Sequence, residues 1–401
     1  MSVALIPEKS SASLTGQAIR PLQMVGLACL VVAGLVAVLS DNSSGFWSAL
    51  LHNWLFAISA GLGALLFVAI QHLTKAGWSV VVRRVAECLS VTLGPIALFS
   101  APVLIALLAG SHSLFVWNDA AHVVEDKILR GKTPWLNAPF FVIRTVIYLG
   151  AWAWLARKFY SDSIRSDVSN DQQLLGRLRT KSGPALILLG ITITLASFDW
   201  IMSLDPHWFS SILGVYLFAS SMVAGLAVLT LAVLALRKAD FLPQVTAEHL
   251  HDLGKLLYGF NCFWAYIAFS QYLLIWYANI PEETGWFYHR QSHGWAEVSF
   301  LLIGLHFVLP FFGLMPRGAK RHAPTLAFWA AVILVSHWID FYWLIMPSVP
   351  GVSVVPGLMD LLLAVGFIAL TASAFISAAA GRSLIPRNDP LLTESLKFHN
   401  H

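Results

Sequence analysis

Long apolar segments alternate with short polar ones along most of this 401-residue chain. Each is close to the roughly 20 residues that an α-helix needs to cross a hydrocarbon core about 30 Å thick. Backbone groups in lipid must hydrogen-bond internally, so the expected fold class is an all-α integral membrane protein. Ten transmembrane helices are predicted, over residues 22–39, 50–72, 89–110, 139–158, 183–203, 207–237, 253–278, 297–316, 323–346 and 357–380.

Lysine and arginine residues are distributed very unevenly between the predicted helices. With a cytoplasmic N-terminus and alternating helices, 20 of the 25 lie on the cytoplasmic side and four lie outside. The last, Arg144, lies within a helix. Cytoplasmic loops are enriched in Lys and Arg, so both termini are predicted to be cytoplasmic. The chain then divides into an N-terminal segment 1–21, a membrane domain 22–380 and a cytoplasmic tail 381–401.

Composition agrees with a membrane location, since 57% of the residues are hydrophobic and only 11% are charged. Soluble domains carry roughly a quarter charged residues. The net charge of +4 does not indicate a nucleic-acid partner, because the basic residues lie in short loops. Cys29, Cys88 and Cys262 have no metal-binding spacing and are interpreted as structural thiols. The first helix is expected to be retained, because no convincing signal-peptide cleavage site follows Val38.

Two predicted outer loops have distinctive sequences. Residues 111–138 contain NDAAHVVEDKILRGKTPWLN, which predicts an amphipathic surface helix followed by a proline turn. Residues 279–296 are rich in Trp, Tyr and His, which is typical of an aromatic belt at a membrane interface. Docking of an external partner is the alternative. The largest cytoplasmic loop, 159–182, is polar and gives no sign of a separate domain.

A short internal similarity suggests a repeat. FDWIMSLDP (198–206) and IDFYWLIMP (339–347) each place an Asp near the predicted outer end of a helix, seven residues before a proline. Helices two to five and six to nine would then form parallel repeats, with bundles over about 50–203 and 207–346. Membrane carriers and conductors often contain such repeats, with their working sites between helices.

Several polar side chains lie near or within the predicted membrane depth, where each needs a physical reason. They are Arg144, Asp199, Asp205, His207, Gln271, Glu297, His306, His337 and Asp340. In one interpretation, Arg144 pairs with a buried carboxylate and the others bond to one another as structural contacts. In the other, carboxylates and imidazoles form a proton relay or contact a quinone headgroup, because these groups exchange protons near neutral pH.

Haem ligation by two histidines would require imidazoles at one depth on facing helices. His306 and His337 are predicted at different depths, and His52 and His72 lie at opposite ends of the second helix. No CxxCH or nucleotide-binding motif is present, and the cysteines are not clustered for an iron–sulfur centre. We therefore expect no catalytic residue, no metal ligand and no redox cofactor held by this chain.

Four segments together resemble a known family: FDWIMSLDPHWFSSILGVYLF (198–218), FWAYIAFSQYLLIWYANIPEET (263–284), HFVLPFFGLMPR (306–317) and HWIDFYWLIMP (337–347). The chain is similar, over roughly residues 20–385, to the ActF family of NrfD-like (polysulfide-reductase-type) membrane subunits of bacterial alternative complex III. The resemblance implies two four-helix bundles plus two peripheral helices in the bacterial inner membrane.

The same resemblance implies membership of a quinol:cytochrome c, or quinol:oxidase, oxidoreductase. The implied partners are a sister NrfD-like subunit and periplasmic iron–sulfur and multihaem cytochrome subunits that hold the haems and clusters, with a terminal oxidase as a further candidate. The substrate would be menaquinol or ubiquinol. The residues that match family motifs are Asp199, Asp205, His207, Gln271, Glu282, Glu283, His306 and Asp340. Asp199, His306 and Asp340 are the implied proton-transfer groups.

Two other functions remain open: a secondary transporter with parallel repeats, and a passive anchor whose polar residues serve only packing. Transporters with repeats often have helices broken at corresponding depths in both halves. Pro95 and Pro102 interrupt the third segment, but its counterpart, the seventh, contains no proline. This difference disfavours transport.

Overall fold

The computed structural model describes residues 16–169 and 172–400, and this part of the chain forms helices and turns without any strand. Most of the predicted N-terminal segment 1–21, including Lys9, lies outside the described residues. Ten long helices correspond in order to the ten predicted ones. They are α1 (Gly16–Leu39), α2 (Ser43–Leu73), α3 (Gly77–Leu108), α4 (Ala138–Ser169), α5 (Gln172–Trp200), α6 (Leu213–Lys238), α7 (Ala247–Ala278), α8 (Trp295–Leu314), α9 (Ala323–Ile345) and α10 (Leu358–Ala379).

Within the described residues, nine of these helices are long and apolar enough to cross a membrane. The exception is α7, in which polar residues such as Asn261 and Gln271 interrupt the apolar sequence. The structure therefore confirms an all-helical, multi-pass membrane protein. That α7 also crosses the membrane stays a prediction.

Helices α2 and α6 form the centre of the protein, with 94% and 72% of their apolar stretches buried. They cross at two glycines, where the backbones touch. A Cβ atom on Gly63 would come within 1.8 Å of the Ser221 carbonyl oxygen, and one on Gly225 within 2.5 Å of the Gly63 carbonyl carbon. Only glycine permits this approach, which resembles the small-residue contacts of other membrane helices.

The remaining helices surround this pair in a repeated pattern. Helix α2 packs on α3 and α5, and α6 packs on α7 and α9. The pairs α4–α5 and α8–α9 also correspond, as do the cross-contacts α6–α5 and α2–α9. Helices α1 and α10 pack on each other. The division into two parallel bundles stays a prediction.

Several helix ends differ from the predicted ones. The segment 159–182, predicted as a loop, is helical over almost its whole described length, because α4 continues to Ser169 and α5 begins at Gln172. Helix α3 begins at Gly77 rather than at residue 89. Helices continue past the apolar segments because charged residues such as Arg and Lys are good helix formers.

The predicted outer loops are partly helical. Residues 111–138 contain two short helices, Ala120–Glu125 and Lys127–Lys132, in place of the single predicted one. The Asp119 and Asp126 side chains accept hydrogen bonds from their first turns. The second loop contains the helix Pro281–His289.

Candidate functional site

The interior site begins with a local distortion of α8. Pro310 lacks the N–H group that would donate to the carbonyl oxygen of His306 four residues earlier. The helix has π geometry over Ile303–Val308, and the Asn261 side chain donates to the free carbonyl at 2.8 Å. Such π segments often occur at functional sites. Here the distorted turn places the His306 imidazole in the protein interior, with no exposed surface.

Asp340 lies on α9 and is fully buried. The Tyr216 hydroxyl donates to its Oδ1 at 2.5 Å, and the Trp264 indole N–H donates to its Oδ2 at 3.2 Å. No Lys, Arg or His of the described ranges forms an ion pair with this carboxylate. A buried carboxylate normally needs a counter-charge to offset its lost hydration. Within the described residues, Asp340 has no such counter-charge.

Two histidines lie near the residues that surround this carboxyl group. The His306 ring centroid is 3.7 Å from that of Trp264 and 6.3 Å from that of His337. Neither ring nitrogen of His306 has a hydrogen-bond partner among the described residues. The His337 Nε2 atom lies 2.9 Å from the Ser59 hydroxyl on α2. We call His306, His337, Tyr216 and Asp340 the Asp340 site. All four residues belong to the second predicted bundle, and Ser59 of α2 borders them.

The other repeated aspartate, Asp199, has very different surroundings. Arg144 on α4 donates to both of its carboxylate oxygens, each at 2.8 Å. The Tyr148 hydroxyl and the Trp135 indole N–H add hydrogen bonds of 3.0 Å each. Four hydrogen-bond donors, two of them from a positively charged guanidinium, therefore surround the Asp199 carboxyl group. This is the structural ion pair anticipated for Arg144.

His207 lies at the surface of the protein, with half of its side chain exposed. Its Nε2 atom lies 2.5 Å from the Asp126 carboxylate of the preceding outer loop. The backbone N–H of Leu129, together with His207, holds the pKa of Asp126 below its ordinary value. The contact thus joins the two outer segments and lies apart from the Asp340 site.

The remaining predicted residues are not brought together. Gln271 is buried on α7, and its side-chain oxygen has no partner in the described part of the chain. Glu297 and Glu282 are exposed, whereas Asp205 and Glu283 are partly buried. The exposed carboxylates on the outer segments need no internal partner, because water or another protein can solvate them.

Arg290 is a buried cation, although the sequence analysis assigned it to an outer loop. It is 1% exposed and donates to the carbonyl oxygens of Trp343 at 3.2 Å, Leu344 at 2.8 Å and Trp286 at 3.0 Å. Its guanidinium also stacks 3.3 Å from the Trp286 ring. The negative end of the α9 dipole offsets part of the positive charge. Arg290 therefore fixes the end of the helix that carries Asp340.

A second buried ionic cluster lies where the end of α2 meets the beginning of α3. The sequence analysis did not predict it. Glu87 is fully buried, with Arg84 at 3.0 Å, Arg83 at 3.7 Å and His72 at 3.8 Å. Arg83 also pairs with Asp389 of the C-terminal tail. Burial alone would raise the pKa of Asp389, but Arg83 outweighs this effect and the pKa lies below its ordinary value. The sequence feature that could have indicated this cluster is the presence of three charged residues within about one helical turn, at 83–87.

No three His, Cys, Asp or Glu side chains converge as a metal site in the structurally described ranges. His306 and His337 are closer together than the sequence suggested. However, the ring of Trp264 lies against His306, and that of Phe341 lies 4.7 Å from His337. Each of the two imidazoles therefore packs against an aromatic ring, and the absence of a cofactor in this chain stays a prediction.

The fold and the site together define a multi-pass α-helical membrane protein with a buried carboxyl group that has no ion-pair partner among the residues that the structure describes. The chain matches no protein-family model, and no curated protein matches it. The resemblance to ActF-type subunits therefore stays a prediction from the four sequence segments.

Proposed function

We propose that the chain is an inner-membrane subunit of a quinol-oxidising respiratory complex, with both termini cytoplasmic, and that it conducts protons through the Asp340 site. It would hold no redox cofactor of its own. The observation that carries this proposal is Asp340, a fully buried carboxyl group with two neutral hydrogen-bond donors and no ion-pair partner in residues 16–169 and 172–400.

The residues around Asp340 are suited to proton exchange. The His306 imidazole has two ring nitrogens without hydrogen-bond partners in the described structure, so one of them is available to accept a proton. His337 and Ser59 extend the polar groups from α9 to α2. Carboxyl, imidazole and hydroxyl groups in series are the usual components of proton relays in membranes.

Quinol oxidation explains why such a relay would be useful. Each quinol that becomes a quinone gives up two electrons and two protons. Haems and iron–sulfur clusters in periplasmic partner subunits would take the electrons and pass them to cytochrome c or a terminal oxidase. A sister NrfD-like subunit would share the membrane domain. The Asp340 site would accept or deliver the protons, or contact the quinone headgroup.

The breaks in the helices argue against a transporter. Helix α3 contains a 3₁₀ turn at Leu98–Ser100, and α8 contains the π segment Ile303–Val308. In the repeat, α3 corresponds to α7, which is one continuous helix over Ala247–Ala278. The paired breaks typical of repeat transporters are therefore not found at corresponding positions.

The test is Asp340→Asn in the purified complex, reconstituted in liposomes and supplied with quinol. Asparagine keeps the size and an acceptor for Trp264 but cannot exchange a proton. We expect intact assembly and haem content, with fewer protons moved across the membrane per electron, because the amide cannot take part in acid–base transfer. Proton stoichiometry is measured with a pH-sensitive dye.

A matched control is Asp360→Asn on α10. This carboxyl is also buried, but it caps its own helix by accepting the Gly357 N–H at 2.9 Å. We expect its proton stoichiometry to stay normal. If Asp340→Asn also left the stoichiometry unchanged, the chain would be a passive anchor. A cofactor-free homo-oligomer in a gentle-detergent pulldown would contradict membership of a respiratory complex.

A further inference from the structure

Three fully buried histidines lie on α9 or close to it: His52 on α2, His306 on α8 and His337 on α9 itself. A neutral imidazole carries its proton on one ring nitrogen and has a lone pair on the other, and the hydrogen bonds around the ring decide which is which. A histidine can bind a further proton without rearrangement only where that lone pair is fixed and has no donor already bound to it. The three rings differ in this respect.

The surroundings of His337 fix its tautomer. Its Nε2 atom lies 2.9 Å from the Ser59 hydroxyl oxygen, and that hydroxyl donates its hydrogen to the Phe56 carbonyl oxygen at 2.7 Å. Because this hydrogen is already used, Ser59 can only accept from the imidazole, so Nε2 carries the ring proton. If Ser59 donated to Nε2 instead, the bond to Phe56 would be lost. The ring would then also bury an N–H group at Nδ1, which has no acceptor among the described residues.

The Nδ1 atom of His337 therefore has a lone pair, and no described residue donates to it. His52 is different: its Nε2 atom donates to the Trp338 carbonyl oxygen at 2.9 Å, and its Nδ1 atom lies 3.4 Å from the Asn53 amide nitrogen, a donor. His306 forms no hydrogen bond with the described residues at either ring nitrogen, so none of them fixes its tautomer. Of the three rings, that of His337 combines a fixed tautomer with a free lone pair.

We propose that Ser59 is a positioning residue of the Asp340 site, which fixes the His337 ring so that its Nδ1 atom binds the transferred proton. The inference rests on the proposed function, because only a proton-conducting site would use this nitrogen. Proton uptake forms one N–H bond at Nδ1 and turns the neutral ring into an imidazolium, while the Nε2–H group still donates to Ser59. Release breaks the same N–H bond and restores the neutral ring, so no redox partner is needed. Asp340, three residues further along α9, supplies a carboxyl group that can offset the positive charge of the ring.

The first test measures the tautomer in the full-length chain, labelled with ¹⁵N-histidine and reconstituted in lipid bilayers. Solid-state NMR at about pH 8, above the ordinary pKa of imidazole, distinguishes a protonated ring nitrogen from a bare one. The His337 signals are those that disappear in His337→Gln. We expect a protonated Nε2 and a bare Nδ1 in the native chain. Ser59→Ala should shift the Nε2 signal, because its hydrogen bond is lost, and should populate the Nδ1–H tautomer.

The matched control is Ser48→Ala. Ser48 is also buried on α2, but its hydroxyl donates within its own helix, to the Ser44 carbonyl oxygen at 2.9 Å. We expect this variant to leave the His337 signals as they are in the native chain. A protonated Nδ1 in the neutral native ring, or a Ser59→Ala spectrum identical to the native one, would overturn the inference.

The second test uses the assembled complex and the measurement of protons moved per electron described for Asp340→Asn. We expect Ser59→Ala to lower this stoichiometry and Ser48→Ala to leave it unchanged. A normal value in Ser59→Ala, beside a loss in Asp340→Asn, would overturn the positioning role and leave the proposed function standing. Normal values in both variants would reject the proposed function and the role of Ser59 with it, whatever tautomer the NMR spectra show.

Discussion

The two aspartates of the internal repeat should respond very differently to the same substitution. Asp199→Asn removes the counter-charge of Arg144, whose side chain is only 6% exposed, and replaces one acceptor oxygen with an amide donor. Breaking a buried ion pair on one side costs about 3–5 kcal/mol, because the remaining charge stays buried without a partner. At 1.4 kcal/mol for each factor of ten, the folded fraction relative to the unfolded one should fall about 10²–10³-fold or slightly more.

Asp340→Asn leaves no charge unpaired, since none of its hydrogen-bond partners is a cation. Tyr216 and Trp264 can still bond to the amide group, so we expect a loss below about 1.5 kcal/mol. The assay is unfolding of the purified chain in mixed micelles with increasing dodecyl sulfate, followed by circular dichroism. The difference between the two variants is measured directly.

The double variant Arg144→Met/Asp199→Asn separates the charge effect from lost packing. It removes the buried cation, while the Asn oxygen still accepts from Trp135 or Tyr148. We expect it to recover more than half of the loss caused by Asp199→Asn alone. A double variant that is less stable than the single one, or an Asp199→Asn variant that unfolds like the native chain, would refute the ion-pair argument.

Four further substitutions test the packing and the buried charges. Arg290→Gln leaves several carbonyl oxygens unpaired and should lower stability by several kcal/mol, at about 1–3 kcal/mol for each buried group, in the same unfolding assay. Gly63→Ala should prevent folding, whereas Gly259→Ala, where a Cβ meets no atom within 4 Å, should be tolerated; the yield of monodisperse protein measures both. Asp389 pairs with Arg83, and its pKa in the folded protein lies below the ordinary value of 3.8. The pair should therefore stabilise the docked tail at pH values above 3.8, and this stabilisation should be lost as the pH falls through the lowered pKa. Limited proteolysis of the tail against pH measures that loss, and Asp389→Asn should release the tail even at neutral pH.

The periodicity of apolar segments was sufficient to predict the helices, because lipid admits few alternatives to a helix. It could not locate the start of α3, where Arg83, Arg84 and Glu87 interrupt the apolar sequence. These charges compensate one another inside the protein, so they need no water. Arg290 was misplaced for a related reason: its partners are backbone carbonyls, which no sequence pattern reveals.

The aspartates show most clearly what sequence alone could not decide. Asp199 and Asp340 occupy equivalent positions in two similar segments, so the sequence implied a proton-transfer role for both. Their neighbours from other helices differ: α4 supplies Arg144 to Asp199, whereas α6 and α7 supply Tyr216 and Trp264 to Asp340. A fixed cation makes the first carboxylate part of the scaffold. Only the second has surroundings in which gaining or losing a proton leaves no other buried charge unpaired, and that difference is why we assign proton transfer to Asp340 alone.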